Sequence, residues 1–187
     1  MSDGAGSSPV AKEASSVAVN VGANYYQTHG RDFFDSAKRK QVEKELIFDI
    51  QQALFEKAKY LNATLSDMMC TLLILGIDKI NKKYITIHIG DGLIAKKNGD
   101  NIVNILSYPE NGITKQYTYF VNSPNVFEHL RTTSGDCYED DSFFIGTDGC
   151  FEGCLTSKEY AKQTENIKDF TVFRDDATYC IISNAVL

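Results

Sequence analysis

The chain has 187 residues, the usual size of one globular domain, and we expect a single domain over residues 1–187. Apolar residues make up 43% and charged residues 24%, which excludes a disordered chain, a collagen and a coiled coil. The net charge of −6 argues against a nucleic-acid partner, because such proteins gain affinity by neutralising phosphates with Lys and Arg.

No segment of the sequence resembles a membrane span or a secretion signal. The longest apolar run, Met68 to Ile77, is well short of the roughly 20 residues that a spanning helix needs. The first six residues lack the basic start and apolar stretch of a signal peptide. We therefore expect a cytoplasmic protein with no membrane partner and with reduced cysteines. Cys150 and Cys154 lack the second ligand pair that a structural zinc site requires.

Helical patterns occupy the first third of the chain. Ser8-Pro9 is typical of a helix start, and the apolar residues that follow predict a helix ending near Gly22. A longer apolar stripe, with Lys and Glu on the opposite side, predicts a second helix from Asp32 to Tyr60. Two shorter helices are predicted, from Ser123 to Leu130 and from the capping box Thr156 to Glu159.

Short segments rich in β-branched and aromatic residues follow, separated by turn dipeptides. We predict an antiparallel meander of five strands and then two further strands. Helices followed by a run of strands indicate an α+β fold rather than a parallel sheet. The predicted strands are Met69–Gly76, Tyr84–Ile89, Leu93–Lys96, Ile102–Ser107, Gln116–Val121, Ser142–Thr147 and Thr178–Ser183.

Acidic residues occur at three places where a turn meets a regular element: Asp3-Gly4, Asp148-Gly149 and Asp175-Asp176. Each of these alone is typical of a solvated turn. Carboxylates at strand ends are, however, held by the sheet and project from its rim. The three sites become informative only in combination with the motifs described next.

Five motifs stand in order along the chain: Ser2–Ser7, His88–Ile94, Ser107–Gly112 leading to Thr118–Val121, Ile145–Gly149 and Arg174–Thr178. In this order the sequence resembles the metal-dependent protein phosphatases of the PP2C type, and most of all their compact bacterial branch. The resemblance extends from Ser2 to Ser183. It implies a PP2C-like sandwich of two antiparallel sheets flanked by helices.

The resemblance also implies two Mn²⁺ or Mg²⁺ ions at one rim of the sandwich. Asp3 would bridge both ions, the Gly4 carbonyl would bind one, and Asp148 and Asp175 would hold the other. These three aspartates are the candidate catalytic residues. Such oxygen donors suit Mg²⁺ and Mn²⁺ and do not suit zinc or copper. A glycine after Asp3 lets the backbone approach a metal.

Asp91 and Glu152 stand where the resemblance implies ligands of a weaker third ion. A turn aspartate and an exposed glutamate are the alternative interpretation of these two residues. The implied activity is that of a serine/threonine phosphoprotein phosphatase, in which a water activated by the two metals attacks phosphorus in line. The implied partners are a phosphorylated protein and its kinase.

The sequence departs from the family at its start. The first motif, a strand pair with a phosphate-contacting Arg and an acidic ligand, should precede Asp3, where only Met1 and Ser2 stand. We therefore expect missing N-terminal strands, open sheet edges and a poorly fixed Asp3. A late start codon, a fragment, or a relative that no longer catalyses would each explain this. The alternative function is a truncated or inactive phosphatase-like domain that binds a partner.

Other chemical candidates are weaker. The three histidines have no metal-ligand spacing and no nucleophile motif, and a structural role is favoured for His88. No P-loop, nucleophile elbow or dinucleotide fingerprint is present. The acidic run from Asp136 to Asp141 lacks the spacing of a calcium loop, and we interpret it as a solvated loop.

Overall fold

The computed structural model describes residues 1–100, 102–112, 118–151, 158–159, 162 and 178–183. Two helices come first, α1 (Ala11–His29) and α2 (Arg39–Tyr60). Among these residues no helix has the length and apolar character needed to cross a bilayer. The strands are β1 (Leu72–Asp78), β2 (Lys83–Ile89), β3 (Leu93–Lys97), β4 (Val103–Ser107), β5 (Arg131–Asp136), β6 (Ser142–Gly146) and β7 (Tyr179–Ser183).

The strands form two antiparallel sheets, one in the order β1-β2-β5 and the other in the order β4-β3-β6-β7. The expected α+β sandwich is thereby confirmed. The expected continuous meander is wrong, because the chain leaves the first sheet after Ile89, turns through Gly90–Gly92, and enters the second sheet at Leu93. This corner is the shortest connection between the two sheets in the described residues.

The helices cover one face of the three-stranded sheet and complete the largest core. Side chains from both helices pack with alternate residues of β1 and β2, and nearly all of them are fully buried. A second set of apolar side chains lies between the sheets and holds them together. That set includes Leu73, Tyr84, Ile94, Phe143 and Ile145.

Helix α1 continues to His29, so the prediction that it ends near Gly22 is wrong. Gly22 lies inside the helix, where a Cβ would stand 3.5 Å from Ile74 Cδ1. A side chain there would meet only ordinary van der Waals contacts, and the packing of the surrounding helix residues outweighs the low helix propensity of glycine. The helix gains further contact from Tyr26, whose ring stacks on Phe33 with centroids 5.8 Å apart.

Helix α2 begins at Arg39, later than the predicted start at Asp32. The residues before it form a separate 3₁₀ turn, Gly30–Phe34. Asp35 then takes an extended conformation, and its side chain accepts a hydrogen bond from the Ala37 amide at 2.9 Å. The Asp35 side chain competes with the helical carbonyl groups for backbone amide donors. This competition separates the 3₁₀ turn from α2.

Three predictions in the second half of the chain need correction. The predicted helix from Ser123 to Leu130 is only a 3₁₀ turn, Val126–Glu128. In the predicted strand Gln116–Val121, Thr118 forms one isolated bridge and residues 119–121 are not a strand, while residues 113–117 lie outside the described part. Strand β5 was not predicted. Of the capping box Thr156 to Glu159, the first two residues also lie outside that part.

The acidic run from Asp136 to Asp141 is not entirely a solvated loop. The Asp141 carboxylate accepts a hydrogen bond from the Tyr138 amide at 2.8 Å and pairs with Lys96 Nζ at 3.0 Å. Only 2% of the Asp141 side chain is exposed. The end of the run therefore anchors the start of β6 through a buried ion pair, which a composition argument does not reveal.

Candidate metal centre

Both sheets end at one rim of the sandwich. Strand β2 ends at Ile89, opposite Leu72, the first residue of β1. Strand β6 ends at Gly146, opposite Leu93, the first residue of β3. Because the Gly90–Gly92 corner joins β2 to β3, these two pairs of strand ends lie next to each other. The rim brings together the sequence positions of Asp3, Asp91 and Asp148.

Asp3 is held against the start of β1 by hydrogen bonds. Its amide donates to Thr71 Oγ1 at 2.9 Å, and the Thr71 amide donates to the Asp3 carbonyl at 2.8 Å. One step further along, the Leu73 amide donates to the Met1 carbonyl at 2.8 Å. The expectation that Asp3 is poorly fixed is therefore wrong, because the first residues form a short antiparallel partner for β1.

Gly4 faces Cys70 in an isolated antiparallel bridge. A Cβ at this position would collide with the backbone carbonyl of Ala11, at the start of α1. Packing against the start of α1 therefore requires a glycine at this position. The sequence indicated only that a glycine lets the backbone approach a metal. The Gly4 amide also donates to the Asp3 carboxylate and so orients that side chain.

The carboxylates of Asp3, Asp91 and Asp148 interact with one another. Burial, followed by the negative charge of Asp148, raises the pKa of Asp3 to about 6. The side chains of Asp3 and Asp148 also share a hydrogen bond. Burial and then the charge of Asp148 likewise raise the pKa of Asp91 to about 6. The rim therefore concentrates negative charge, and each carboxylate disfavours ionisation of its neighbours.

The donor atoms at this rim fit a divalent cation. Two carboxylates in contact are stable only when a proton or a positive charge lies between them, and Mg²⁺ and Mn²⁺ prefer such oxygens. Within the described ranges, however, no three His, Cys, Asp or Glu side chains form a complete metal-binding group. Asp175 and Glu152, which belong to the predicted ligand set, lie outside those ranges.

Asp148 stands two residues after the end of β6 and opens a 3₁₀ turn, Asp148–Cys150. Its carbonyl accepts a hydrogen bond from the Phe151 amide at 2.7 Å. The preceding residue, Thr147, exchanges two hydrogen bonds of 3.0 Å with Thr178, one from each backbone amide. These bonds fix the end of β6 and the residue before β7 at the same rim.

Asp91 lies in the corner between the sheets. Gly90 has φ +112°, and a Cβ there would stand 2.6 Å from Thr71 Cγ2, so only glycine fits without strain. The Gly90 carbonyl accepts hydrogen bonds from Arg131 Nη2 at 2.6 Å and from the Glu110 amide at 3.0 Å. Sequence reasoning missed Arg131, because a single arginine before a polar segment forms no motif.

His88 is fully buried, and its Nδ1 lies 2.8 Å from Ser107 Oγ. Burial and the positive charge of Arg131 lower the pKa of His88 well below its usual value. A neutral imidazole that links β2 of one sheet to β4 of the other is a structural group. This is the role that the sequence favoured.

Solved structures share this fold at low sequence identity. A stage II sporulation E family protein from Thermanaerovibrio acidaminovorans has a TM-score of 0.65 at 14% identity, over 97% of this chain and 92% of that one. The catalytic domain of the serine/threonine protein phosphatase PstP, in complex with 2 manganese ions, has a TM-score of 0.68 at 12% identity, over 96% and 84%. RsbX in complex with magnesium has a TM-score of 0.59 at 18% identity, over 96% and 76%. The likeness establishes a PP2C-like sandwich.

The family comparison agrees with the fold. The sequence matches the family described as protein phosphatase 2C over residues 1–178. The match spans nearly the whole chain, and the protein belongs to the protein phosphatase 2C family. A search of curated proteins gave no match.

Proposed function

We propose that the protein is a metal-dependent serine/threonine phosphoprotein phosphatase that hydrolyses phosphomonoesters. The main support is the contact between the carboxylates of Asp3 and Asp148 at the rim of a protein phosphatase 2C sandwich. PstP with manganese and RsbX with magnesium are structural relatives that bind the ions proposed for this chain. We propose a phosphorylated protein as the substrate and its kinase as a further partner.

The proposed site holds two Mn²⁺ or Mg²⁺ ions and a weaker third ion. When bound, these cations supply an activated water and stabilise the charge that develops on the phosphoryl oxygens. The chain contributes the orientation of the carboxylates, through the Gly4 amide on Asp3 and the reciprocal bonds with Thr71. The proposed ligands are Asp3, the Gly4 carbonyl, Asp148 and Asp175, with Asp91 and Glu152 for the third ion.

The proposal is tested by hydrolysis of p-nitrophenyl phosphate and of a phosphoserine peptide. We expect activity that EDTA abolishes and Mn²⁺ restores. The variants Asp3→Asn, Asp148→Asn and Asp175→Asn should each lose at least about 100-fold, which is the upper end of the range for groups outside the ligand shell. Exposed Asp140, at the opposite end of β6, provides the control Asp140→Asn, which should keep full activity. Turnover that survives EDTA would refute the proposal.

A second candidate function is a phosphatase-like domain that binds a protein partner without catalysing. One observation favours it: beyond Leu73, β1 is the edge of its sheet in the described residues. An apolar cavity of about 430 Å³ adjoins this edge, between α1, β1 and β7. An exposed strand edge is a template for an added strand. Calorimetry with Mn²⁺ separates the two functions, because an interaction domain would give no heat at millimolar metal.

A further inference from the structure

The corner that carries Asp91 is held from outside by a partly buried charged group. Arg131 is the first residue of β5 and pairs with His88 of β2, so its side chain begins next to the end of β2. Its Nη2 donates to the Gly90 carbonyl at 2.6 Å, and its Nη1 donates to the Tyr108 carbonyl. The guanidinium thus joins the corner to the segment after β4.

Glu110 supports the same arrangement from the other side. Its amide donates to the Gly90 carbonyl at 3.0 Å, and its carboxylate oxygen Oε2 lies 3.3 Å from Arg131 Nε. This last contact is an ion pair by distance but not a hydrogen bond. The other oxygen, Oε1, lies 2.8 Å from His129 Nδ1. The His129 ring in turn stacks on Tyr119 with centroids 3.3 Å apart.

The Arg131 side chain is not arranged to bind a substrate phosphate. Only 27% of it is exposed, two of its nitrogens donate to backbone carbonyls, and the third lies 3.3 Å from the Glu110 carboxylate. A guanidinium used in this way fixes backbone geometry. Its charge also acts on Asp91, the neighbour of the carbonyl that it binds. Arg131 thus holds a corner whose carboxylate faces the charge of Asp148.

The corner also contacts the element that holds Asp3. Gly90 packs against the side chain of Thr71, and Thr71 exchanges hydrogen bonds with Asp3. A shift of the Gly90 carbonyl would therefore move Asp91 directly and would press on the partner of Asp3. Groups that orient ligands in this way typically change metal affinity by 10–100-fold when they are removed.

We propose that Arg131, braced by Glu110, is a positioning residue that fixes the Gly90–Asp91 corner and thereby sets the affinity of the rim for divalent cations. This inference rests on the proposed function, since it presumes that the rim binds cations. It assigns to Arg131 no contact with substrate. The residue acts through the Gly90 carbonyl, and its removal weakens cation binding rather than the chemical step.

The test measures Mn²⁺ binding by calorimetry and by the Mn²⁺-induced rise in melting temperature, together with hydrolysis of p-nitrophenyl phosphate. For Arg131→Gln we expect about a tenfold weaker affinity at the weakest resolved site and a matching rise in the Mn²⁺ concentration for half-maximal activity. The kcat at saturating Mn²⁺ and the KM for substrate should stay within about threefold. Glu110→Gln should have a smaller effect in the same direction.

Two comparisons isolate the positioning role. The control Arg31→Gln removes an exposed arginine near the helices and should leave Mn²⁺ binding unchanged. If Arg131 acts through Asp91, the double variant Arg131→Gln/Asp91→Asn should bind Mn²⁺ no more weakly than Asp91→Asn alone. Should Arg131→Gln fail to fold, Arg131→Lys keeps the charge without the two-pronged donor geometry, and we expect it to weaken Mn²⁺ binding as well.

The outcomes separate this inference from the function on which it rests. If the unaltered protein binds no Mn²⁺, the proposed function is overturned. If it binds and hydrolyses with Mn²⁺ but folded Arg131 variants have the same Mn²⁺ affinity, only the positioning role is overturned. Additive effects of the Arg131 and Asp91 changes would also overturn that role.

Discussion

Asp3 and Thr71 hold each other through hydrogen bonds in both directions, of 2.9 Å from the Asp3 amide and 2.8 Å from the Thr71 amide. The same threonine side chain packs against Gly90, next to Asp91. Thr71 therefore contacts two of the segments that carry candidate ligands, those of Asp3 and Asp91. Its hydroxyl group binds the backbone of Asp3, and its methyl group restricts the position of Gly90. The carboxylates of Asp3 and Asp91 are therefore positioned together.

Replacing Thr71 with valine removes the hydroxyl and keeps the shape. The Asp3 amide then lacks its acceptor in a partly buried place, and we expect the free energy of unfolding to fall by about 1–3 kcal/mol. Urea unfolding measures this loss. Thr71→Ser keeps the acceptor and should lose less. If the valine variant is as stable as the serine variant, the hydroxyl does not hold Asp3.

Gly90 tests the geometry of the corner directly. Its φ of +112° and the 2.6 Å approach to Thr71 Cγ2 both oppose a side chain. We expect Gly90→Ala to lower the free energy of unfolding by roughly 1–3 kcal/mol, the range for a residue forced into a sparsely populated conformation. Gly6→Ala is the matched control, because a Cβ there meets nothing within 4 Å. Equal stability of the two variants would contradict the prediction that a side chain at Gly90 strains the corner.

The raised pKa values near 6 of Asp3 and Asp91 make the stability of the metal-free protein depend on pH. Because the folded state binds these protons more tightly than the unfolded state, their contribution is greatest below pH 4 and is lost as the pH rises through 6. The difference in unfolding free energy between the unaltered protein and Asp3→Asn should therefore change between pH 4 and pH 7. Urea unfolding in EDTA measures it.

Saturating Mn²⁺ should remove this dependence, because a bound cation replaces the proton between the carboxylates. The exposed Asp140 serves again as a control, since its removal should leave the pH profile of the metal-free protein unchanged. A flat difference profile for Asp3→Asn across this interval would show that neither burial nor the neighbouring charges raise the pKa of Asp3 in the folded protein.

The ion pair of Lys96 and Asp141 is buried, with 14% and 2% of the side chains exposed. Lys96→Met leaves a buried carboxylate without its cation, and we expect a loss of about 3–5 kcal/mol in unfolding free energy. The exposed pair of Lys83 and Asp136 is the control, for which Lys83→Met should cost much less, because solvent already screens this pair. Similar losses in both variants would mean that burial does not determine how much stability is lost when an ion pair is broken.

Much of the local structure could be predicted from the sequence. The bounds of β2, β3, β4, β6 and β7 differ from the prediction by one residue or less at each end, because apolar alternation and turn dipeptides mark them clearly. Strand β5 carries the polar sequence Arg131–Asp136, so no apolar pattern indicated it. It is a strand because its backbone pairs with the edge of β2. The signal for β5 therefore lies in β2 and not in the sequence of β5 itself.

The site was predictable in part. The resemblance selected Asp3, Asp91 and Asp148, and the structure brings these three to one rim. Their roles as metal ligands stay predictions. The contacts of Arg131 could not be predicted, because they are made to backbone carbonyls, which every residue offers. The firm anchoring of Asp3 was missed because it depends on Thr71, a residue distant in the sequence that forms no motif with Asp3.

Two hydrogen bonds between Thr147 and Thr178 join the end of β6 to the start of β7. They therefore fix both ends of the stretch of chain that connects these two strands. With both ends fixed, the length of that stretch can change without shifting the register of β6 and β7. Related proteins can therefore differ in this stretch while the same pair of strands keeps its place in the sheet.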